Sequence, residues 1–99
     1  MDSNSKKRYF ILLVEDNVLN QRLVTLQLNR LGFSIDIANN GVEAIEKYKT
    51  NEYDFILMDL MMPIMNGFEA THCIRQIEEE SGKHVPIIGL TANTFDADR

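Results

Sequence analysis

Four short apolar runs alternate along the chain with longer segments in which apolar residues recur at helical spacing. The runs cover residues 9–14, 33–38, 55–58 and 87–90. A short unbroken apolar run, as in the first and third, is typical of a strand buried on both faces. The second run alternates apolar and polar residues, which predicts a less buried strand nearer the edge of the sheet.

The three intervening segments predict helices over residues 18–31, 42–49 and 68–80. Asn17 is a predicted N-cap of the first helix and Gly32 its C-terminal stop. The residues whose helical spacing predicts the inner faces are Leu19, Leu23, Leu26 and Leu31 in the first helix; Val42, Ile45 and either Tyr48 or Ala44 in the second; and Phe68, Thr71, Ile74 and Ile77, flanked by Ala70 and Cys73, in the third. The run Glu78-Glu79-Glu80 predicts a solvated helix end. Alternating strands and helices predict an α/β domain whose parallel sheet is covered on both faces.

Polar side chains follow three of the four predicted strands. Glu15 and Asp16 come after the first strand, Asp59 ends the third, and Thr91 follows the fourth. A strand-ending aspartate is also common in turns, so Asp59 alone leaves a structural interpretation open. Because the carboxyl ends of parallel strands meet at one edge of a sheet, we expect these side chains to converge in one crevice.

Three carboxylates in one crevice repel one another. Two like charges ~4 Å apart cost ~1 kcal/mol in water and ~4 kcal/mol near a protein surface, so such a cluster favours a bound cation or a shared proton. Oxygen ligands select a hard divalent ion, of which Mg²⁺ is the usual intracellular choice. A metal-bound carboxylate beside a hydroxyl is suited to phosphoryl transfer, in which an aspartate oxygen attacks in line.

Composition narrows the function classes. The 99 residues predict one domain, and 44% hydrophobic content is enough for a single core. The net charge of −5 argues against direct nucleic-acid contact and against an anionic membrane surface. The single cysteine, Cys73, fits a reducing cytoplasm, and no apolar run reaches membrane-spanning length. We therefore expect a cytoplasmic domain, preceded by a flexible solvated tail over residues 1–8.

Three ordered stretches carry a resemblance to a known family: residues 11–17 (ILLVEDN), residues 59–63 (DLMMP) followed by Gly67, and residues 86–92 (PIIGLTA). Over residues 9–99 the sequence resembles the receiver domains of two-component response regulators and hybrid sensor kinases. Residues 17–21 (NVLNQ) are most similar to receivers of hybrid histidine kinases. The resemblance implies a flavodoxin-like, doubly wound parallel sheet, here of order 2-1-3-4.

The resemblance also implies a role for each strand-end residue. Asp59 resembles the phosphoacceptor, and Glu15 and Asp16 resemble the acidic pair that holds Mg²⁺, Asp16 directly and Glu15 through water. The Asp59 carboxylate and the backbone carbonyl of Met61 would be further Mg²⁺ ligands, and Thr91 resembles the switch hydroxyl. The implied partner is a sensor histidine kinase or a histidine phosphotransfer protein. The domain would be a signalling module, not an enzyme, that assists only its own phosphorylation and dephosphorylation.

The sequence departs from the family pattern after its fourth strand. Family members continue with a fifth strand that bears a lysine and an aromatic switch residue, and then a fifth helix, whereas this sequence ends at Arg99. Lys83 precedes the fourth strand and lies at the wrong end of the sheet to replace that lysine. We therefore expect a C-terminally incomplete receiver with an exposed apolar fourth strand, open to dimerisation or chain exchange.

The sequence leaves alternative functions open. A truncated or pseudo-receiver interaction module without efficient phosphotransfer stays open, because the missing lysine predicts impaired chemistry. A Mg²⁺-dependent phosphohydrolase with Asp59 as nucleophile would resemble Asp-x-Asp, but position 61 is Met61. A flavin-binding flavodoxin would place hydroxyls and amides after the first strand, where this chain has Glu15 and Asp16.

Overall fold

A four-stranded parallel sheet forms the centre of the molecule in a computed structural model that describes residues 8–60 and 65–90. The elements are β1 (Phe10–Val14), α1 (Val18–Arg30), β2 (Ser34–Ala38), α2 (Gly41–Thr50), β3 (Phe55–Asp59), α3 (Gly67–Ser81) and β4 (Ile87–Leu90). The strand order is β2-β1-β3-β4, and all neighbours pair in parallel. The predicted α/β class and the order 2-1-3-4 are therefore confirmed. Residues 1–7, which make up most of the predicted tail, lie outside the described residues.

Asparagine side chains begin all three helices. Asn17, Asn40 and Asn66 each accept a hydrogen bond from the backbone N–H three residues further on, at 2.9–3.0 Å. These bonds satisfy N–H groups that have no partner within the helix. Gly32, with φ of 95°, follows the last turn of α1, so the predicted N-cap and C-terminal stop of this helix are confirmed.

The larger of the two apolar layers lies between the sheet and the helices α2 and α3. Its buried members are Leu12, Val14, Ala38, Ala44, Tyr53, Ile56, Met58, Ala70, Ile74 and Val85. Side chains alternate between the two faces of a strand, so the fully buried Ile11 and Leu13 of β1 point to the other face. On that face α1 contacts β2. The sheet is thus covered by helices on both sides, as the alternation of elements predicts.

The apolar stripe that predicts α1 is not the face with which this helix packs. Leu19, Leu23 and Leu26 are 65%, 51% and 57% exposed. The inner side consists of the buried Gln21 and the partly buried Val24, Thr25 and Leu28. At about 100° per residue, the two sets lie on opposite sides of the helix. Because α1 is apolar on both sides, periodicity alone does not distinguish the inner face from the outer one.

The predicted inner faces of α2 and α3 are correct except in the first turn of each helix. Ala44, Ala70 and Ile74 are fully buried, whereas Val42 is 42% and Phe68 is 64% exposed. The core begins one turn further along each helix, so the inward orientation expected of Val42 and Phe68 is wrong.

All three helices keep polar faces, and none within the described residues is both long and apolar enough to cross a membrane.

A buried carboxylate joins α2, α3 and the segment that enters β4. Glu78 is only 5% exposed, so the predicted solvated helix end holds for Glu79 and Glu80 but is wrong for Glu78. Its two oxygens accept hydrogen bonds from Arg75 Nη1 at 2.6 Å, Val85 N–H at 2.5 Å and Tyr48 Oη at 3.2 Å. Burial alone would raise the pKa of Glu78, but the Val85 N–H and the Arg75 guanidinium outweigh burial and hold this pKa below its ordinary value.

We expect Glu78→Gln to lower the free energy of unfolding at pH 7 by about 1–2 kcal/mol, because hydrogen bonds to charged groups are lost. The exposed neighbour offers a matched control, and Glu79→Gln should change it by less than about 0.5 kcal/mol. Since the folded-state pKa of Glu78 lies below its unfolded-state value, its contribution is present at neutral pH and is lost as the pH falls through the folded-state pKa. Urea unfolding followed by circular dichroism at neutral and acidic pH measures both effects. Equal losses in the two variants, or a pH-independent difference, would contradict this assignment.

The first residue of α3 packs against the backbone that leaves β3. A Cβ on Gly67 would lie 2.5 Å from the carbonyl oxygen of Asp59 and 2.8 Å from Leu60 Cα. Both neighbours are backbone atoms, so they have little freedom to move aside. A glycine at this position therefore fixes the distance between α3 and the strand end that bears Asp59.

We expect Gly67→Ala to lower the free energy of unfolding by about 1–3 kcal/mol, the usual cost of overpacking. Gly89→Ala is the control, because its Cβ would meet only the side chain of Leu60, at 3.0 Å or more. Denaturant unfolding of both variants checks the prediction. A loss in Gly89→Ala as large as that in Gly67→Ala would show that backbone contact is not the cause.

Candidate functional site

Three carboxylates lie together at the carboxyl edge of the sheet. Glu15 and Asp16 follow β1, and Asp59 is the last residue of β3. The register pairs Val14 with Met58, so the two strand ends are level. One carboxylate oxygen from each of the three acidic residues lies within 4.8 Å of the others. The structure therefore brings together the acidic side chains that the sequence places at strand ends.

The backbone and side chain of Glu15 are both held in place. Its N–H donates to the carbonyl of Ala38 at 3.0 Å, and Glu15 Oε2 accepts from the N–H of Asn17 at 3.1 Å. Burial is the largest influence on the pKa of Glu15 and raises it, and the neighbouring Asp59 carboxyl raises it further. The Asn17 N–H and the Asn20 side chain oppose these effects, but the net pKa is raised. The fold thus holds the Glu15 carboxyl where its ionised form is disfavoured.

The donor set fits a hard divalent cation. Within residues 8–60 and 65–90, this is the only group of three or more histidine, cysteine or acidic side chains close enough together to hold a metal ion. All of its donor atoms are carboxylate oxygens, which suit Mg²⁺ better than a softer metal. A cation bound among Glu15, Asp16 and Asp59 would also offset the Asp59 charge, which adds to burial in raising the Glu15 pKa.

Two of the residues expected at this site, Met61 and Thr91, lie outside the described residues. Their roles as a carbonyl ligand and as a switch hydroxyl stay predictions. Leu90, the residue before Thr91, is the register partner of Asp59. Lys83 lies before β4, at the opposite edge of the sheet, where its Nζ is 2.6 Å from Glu52 Oε2. The expectation that Lys83 is remote from the acidic cluster is therefore confirmed.

Gln21 contacts this site, and the sequence analysis missed it. Its side chain is buried, and its Nε2 donates to the backbone carbonyl of Glu15 at 2.5 Å and to Asn39 Oδ1 at 2.8 Å. Glutamine is usually exposed, and the apolar spacing of α1 directs attention to the other side of the helix. Its position in the sequence could have indicated this contact, because a residue one turn after the cap Asn17 lies close to the end of β1.

Comparison with known families gives a match over nearly the whole chain. The model of the response regulator receiver domain matches residues 11–99. Hybrid signal transduction histidine kinase I of Dictyostelium discoideum is 44% identical over 94 residues, which is 90% of this chain. That alignment covers 5% of the kinase, so the chain spans a small part of the length of this relative.

Solved structures agree in fold. The receiver domain of sensor histidine kinase PA1611 from Pseudomonas aeruginosa, described with a magnesium ion coordinated in its active-site cleft, is 40% identical with a TM-score of 0.77 over 94% of this chain and 75% of that one. A co-crystal structure of the Saccharomyces cerevisiae histidine phosphotransfer protein Ypd1 with the receiver domain of Ssk1 matches at 33% identity and a TM-score of 0.75, over 85% of this chain and 62% of that one. Together with the flavodoxin-like sheet order and the acidic cluster, these matches show that the chain belongs to the family of response regulator receiver domains.

Proposed function

We propose that this chain is a phosphoacceptor receiver in which Asp59 takes a phosphoryl group from the phosphohistidine of a partner protein. The observation that carries the proposal is the convergence of Glu15, Asp16 and Asp59 within 4.8 Å. Such a convergence of like charges is unfavourable in a merely structural turn. It suits a site that receives a cation and a phosphoryl group, and membership of the receiver family supports the same interpretation.

The transfer forms one bond and breaks another. A carboxylate oxygen of Asp59 attacks phosphorus, an O–P bond forms, and the N–P bond of the phosphohistidine breaks. The bonding electron pair stays on the imidazole nitrogen, which takes up a proton, and the product is an acyl phosphate on Asp59. Glu15, Asp16, Asp59 and the backbone carbonyl of Met61 would hold Mg²⁺, which would supply positive charge near the phosphoryl oxygens. Thr91 donates a hydrogen bond to the phosphoryl group and moves on its arrival, which is the conformational switch.

The surface around the cluster suits a docking protein. Val18 and Leu19, in the first turn of α1, are 60% and 65% exposed, and Phe68, in the first turn of α3, is 64% exposed. These apolar side chains flank the carboxyl edge, and exposed apolar surface near a site is typical of protein contacts. A sensor histidine kinase or a histidine phosphotransfer protein that brings its histidine to Asp59 would cover them. The partner of Ssk1 in the matched co-crystal structure is a protein of the second kind.

We also propose that residues 9–99 form the receiver unit and that residues 1–8 are a flexible tail. We propose the cytoplasm as the location of the domain. β4 is one of the two edge strands of the described sheet, and Ile88 on it is 49% exposed. Dimerisation or chain exchange through this strand stays a prediction.

We expect wild-type protein incubated with Mg²⁺ and acetyl phosphate to gain one phosphoryl group by intact-mass analysis, and Asp59→Asn to gain none, because the amide is not a nucleophile for this step. Asp54→Asn is the matched control at the other end of β3. Asp54 Oδ2 accepts the N–H of Phe10 at 2.7 Å, and an asparagine oxygen can accept the same bond.

A phosphoryl group on Asp59→Asn would refute Asp59 as the acceptor. If folded, Mg²⁺-binding wild type gained none, the interaction module without phosphotransfer would be the better description.

We expect Asp16→Asn to weaken Mg²⁺ binding at least about tenfold, since a charged oxygen ligand is lost from the site. Glu46→Gln removes the same charge from an exposed position of α2 and should leave the affinity within about twofold, because exposed distant charges are screened. Isothermal titration with MgCl₂ measures both. Equal weakening in the two variants would mean that general charge, not ligation, governs the affinity.

A further inference from the structure

We propose that Gln21 is a positioning residue, whose side-chain amide fixes the main chain at Glu15 and so holds the Glu15–Asp16 pair where a divalent cation binds. The inference rests on the proposed function in one respect, namely that the acidic cluster binds Mg²⁺. The hydrogen bonds of Gln21 lie within the described residues and are present without a bound metal.

Hydrogen bonds join the Glu15 carbonyl, Gln21, Asn39 and Glu43 into one network, and the groups at its two ends fix the direction of each bond. A backbone carbonyl, that of Glu15, can only accept, so the side-chain atom of Gln21 that meets it at 2.5 Å is the donating Nε2. At the other end Glu43 Oε1 accepts from Asn39 Nδ2 at 3.1 Å and from the Asn39 N–H at 2.9 Å. Asn39 therefore presents its oxygen to Gln21, and Nε2 donates to it at 2.8 Å. Both hydrogens of the Gln21 amide are used.

Burial makes this amide a rigid support. Gln21 is the only buried residue of α1, at 9% exposure. A buried amide without hydrogen bonds costs free energy, so its two acceptors confine it to one orientation. The inner side of α1 thus contacts the end of β1 through a directional hydrogen bond. Apolar side chains at this position would fix the orientation of the two elements less strictly.

The network joins the candidate cation site to a second strand end and a second helix. Asn39 follows β2, and Glu43 lies in the first turn of α2, capped by Asn40. Gly41, the first residue of α2, is in close contact with Met65, since a Cβ on it would lie 2.7 Å from the Met65 carbonyl oxygen. Gln21 therefore ties the segment bearing Glu15 and Asp16 to a helix that also contacts the segment following Asp59.

The peptide plane gives a direct route from Gln21 to Asp16. The carbonyl of Glu15 and the N–H of Asp16 belong to one planar peptide unit. If the Glu15 carbonyl lost the Gln21 donor, the peptide plane would have to rotate for this carbonyl to reach a new donor. The same rotation would move the backbone of Asp16. Loss of the Gln21 donor is therefore expected to misplace a predicted metal ligand without removing any ligand.

The test compares Gln21→Met with Gln27→Met, the same substitution at an exposed position of the same helix. We expect Gln21→Met to weaken Mg²⁺ binding about tenfold by isothermal titration, the usual scale for residues that orient metal ligands, and Gln27→Met to stay within about twofold of wild type. In metal-free protein, hydrogen exchange at the Asn17 amide, which donates to Glu15 Oε2, should accelerate several-fold in Gln21→Met alone.

A second variant tests the same contact from the side of Asn39. If Gln21→Met did not fold, Asn39→Ala, at an exposed loop position, would take its place and should weaken Mg²⁺ binding about threefold through the freed amide. Folded Gln21→Met with either wild-type affinity or wild-type exchange at Asn17 would overturn the proposal. Wild type that bound no Mg²⁺ would refute the metal site and the role of Gln21 toward a cation, whereas unchanged exchange alone would refute the positioning and leave the proposed function intact.

Discussion

The parallel pairing of β1 with β3 is the contact on which the acidic cluster depends. Because Val14 lies opposite Met58, the next residue along each strand, Glu15 in one case and Asp59 in the other, lies at the same level of the carboxyl edge. Apolar burial on both faces of β1 drives this pairing, and the fully buried side chains of residues 11–14 supply it. The repulsion between the carboxylates is therefore opposed by a hydrophobic core several residues away. Burial and, after it, the neighbouring Asp59 carboxyl raise the pKa of Glu15.

Apolar packing fixes the layers of the fold, whereas directional contacts fix the site. The core between the sheet and α2 and α3 sets where the strand ends lie. Gln21 and the backbone contact of Gly67 then determine how the chain leaves β1 and enters α3. Hydrogen bonds and close backbone contacts depend steeply on angle and distance. They can therefore hold ligand positions more narrowly than apolar side chains can.

The two edges of the sheet use charge in opposite ways. At the amino edge the buried Glu78 has all of its charge satisfied by Arg75 and by hydrogen bonds, and its pKa is lowered. At the carboxyl edge burial raises the pKa of Glu15, and the neighbouring Asp59 carboxyl raises it further. A satisfied buried carboxylate stabilises the fold, whereas a disfavoured one leaves interaction energy available to a ligand. This contrast supports a structural role for the first cluster and a functional role for the second.

The resemblance to receiver domains implied the strand order 2-1-3-4. The sequence by itself determined the strands, the helices, the N-cap and C-terminal stop of α1, the parallel direction of the sheet and the three carboxylates at its edge. Each of these follows from local signals, such as apolar runs, asparagine caps and the rule that parallel strands end at one edge. Only the tertiary structure decided that the Leu19–Leu23–Leu26 side of α1 faces outward, that Glu78 is buried while Glu79 is not, and that Gln21 supports Glu15. These features depend on which surface packs against each helix. The local sequence does not show this when a helix is apolar on two sides, or when the partner of a polar residue is distant along the chain.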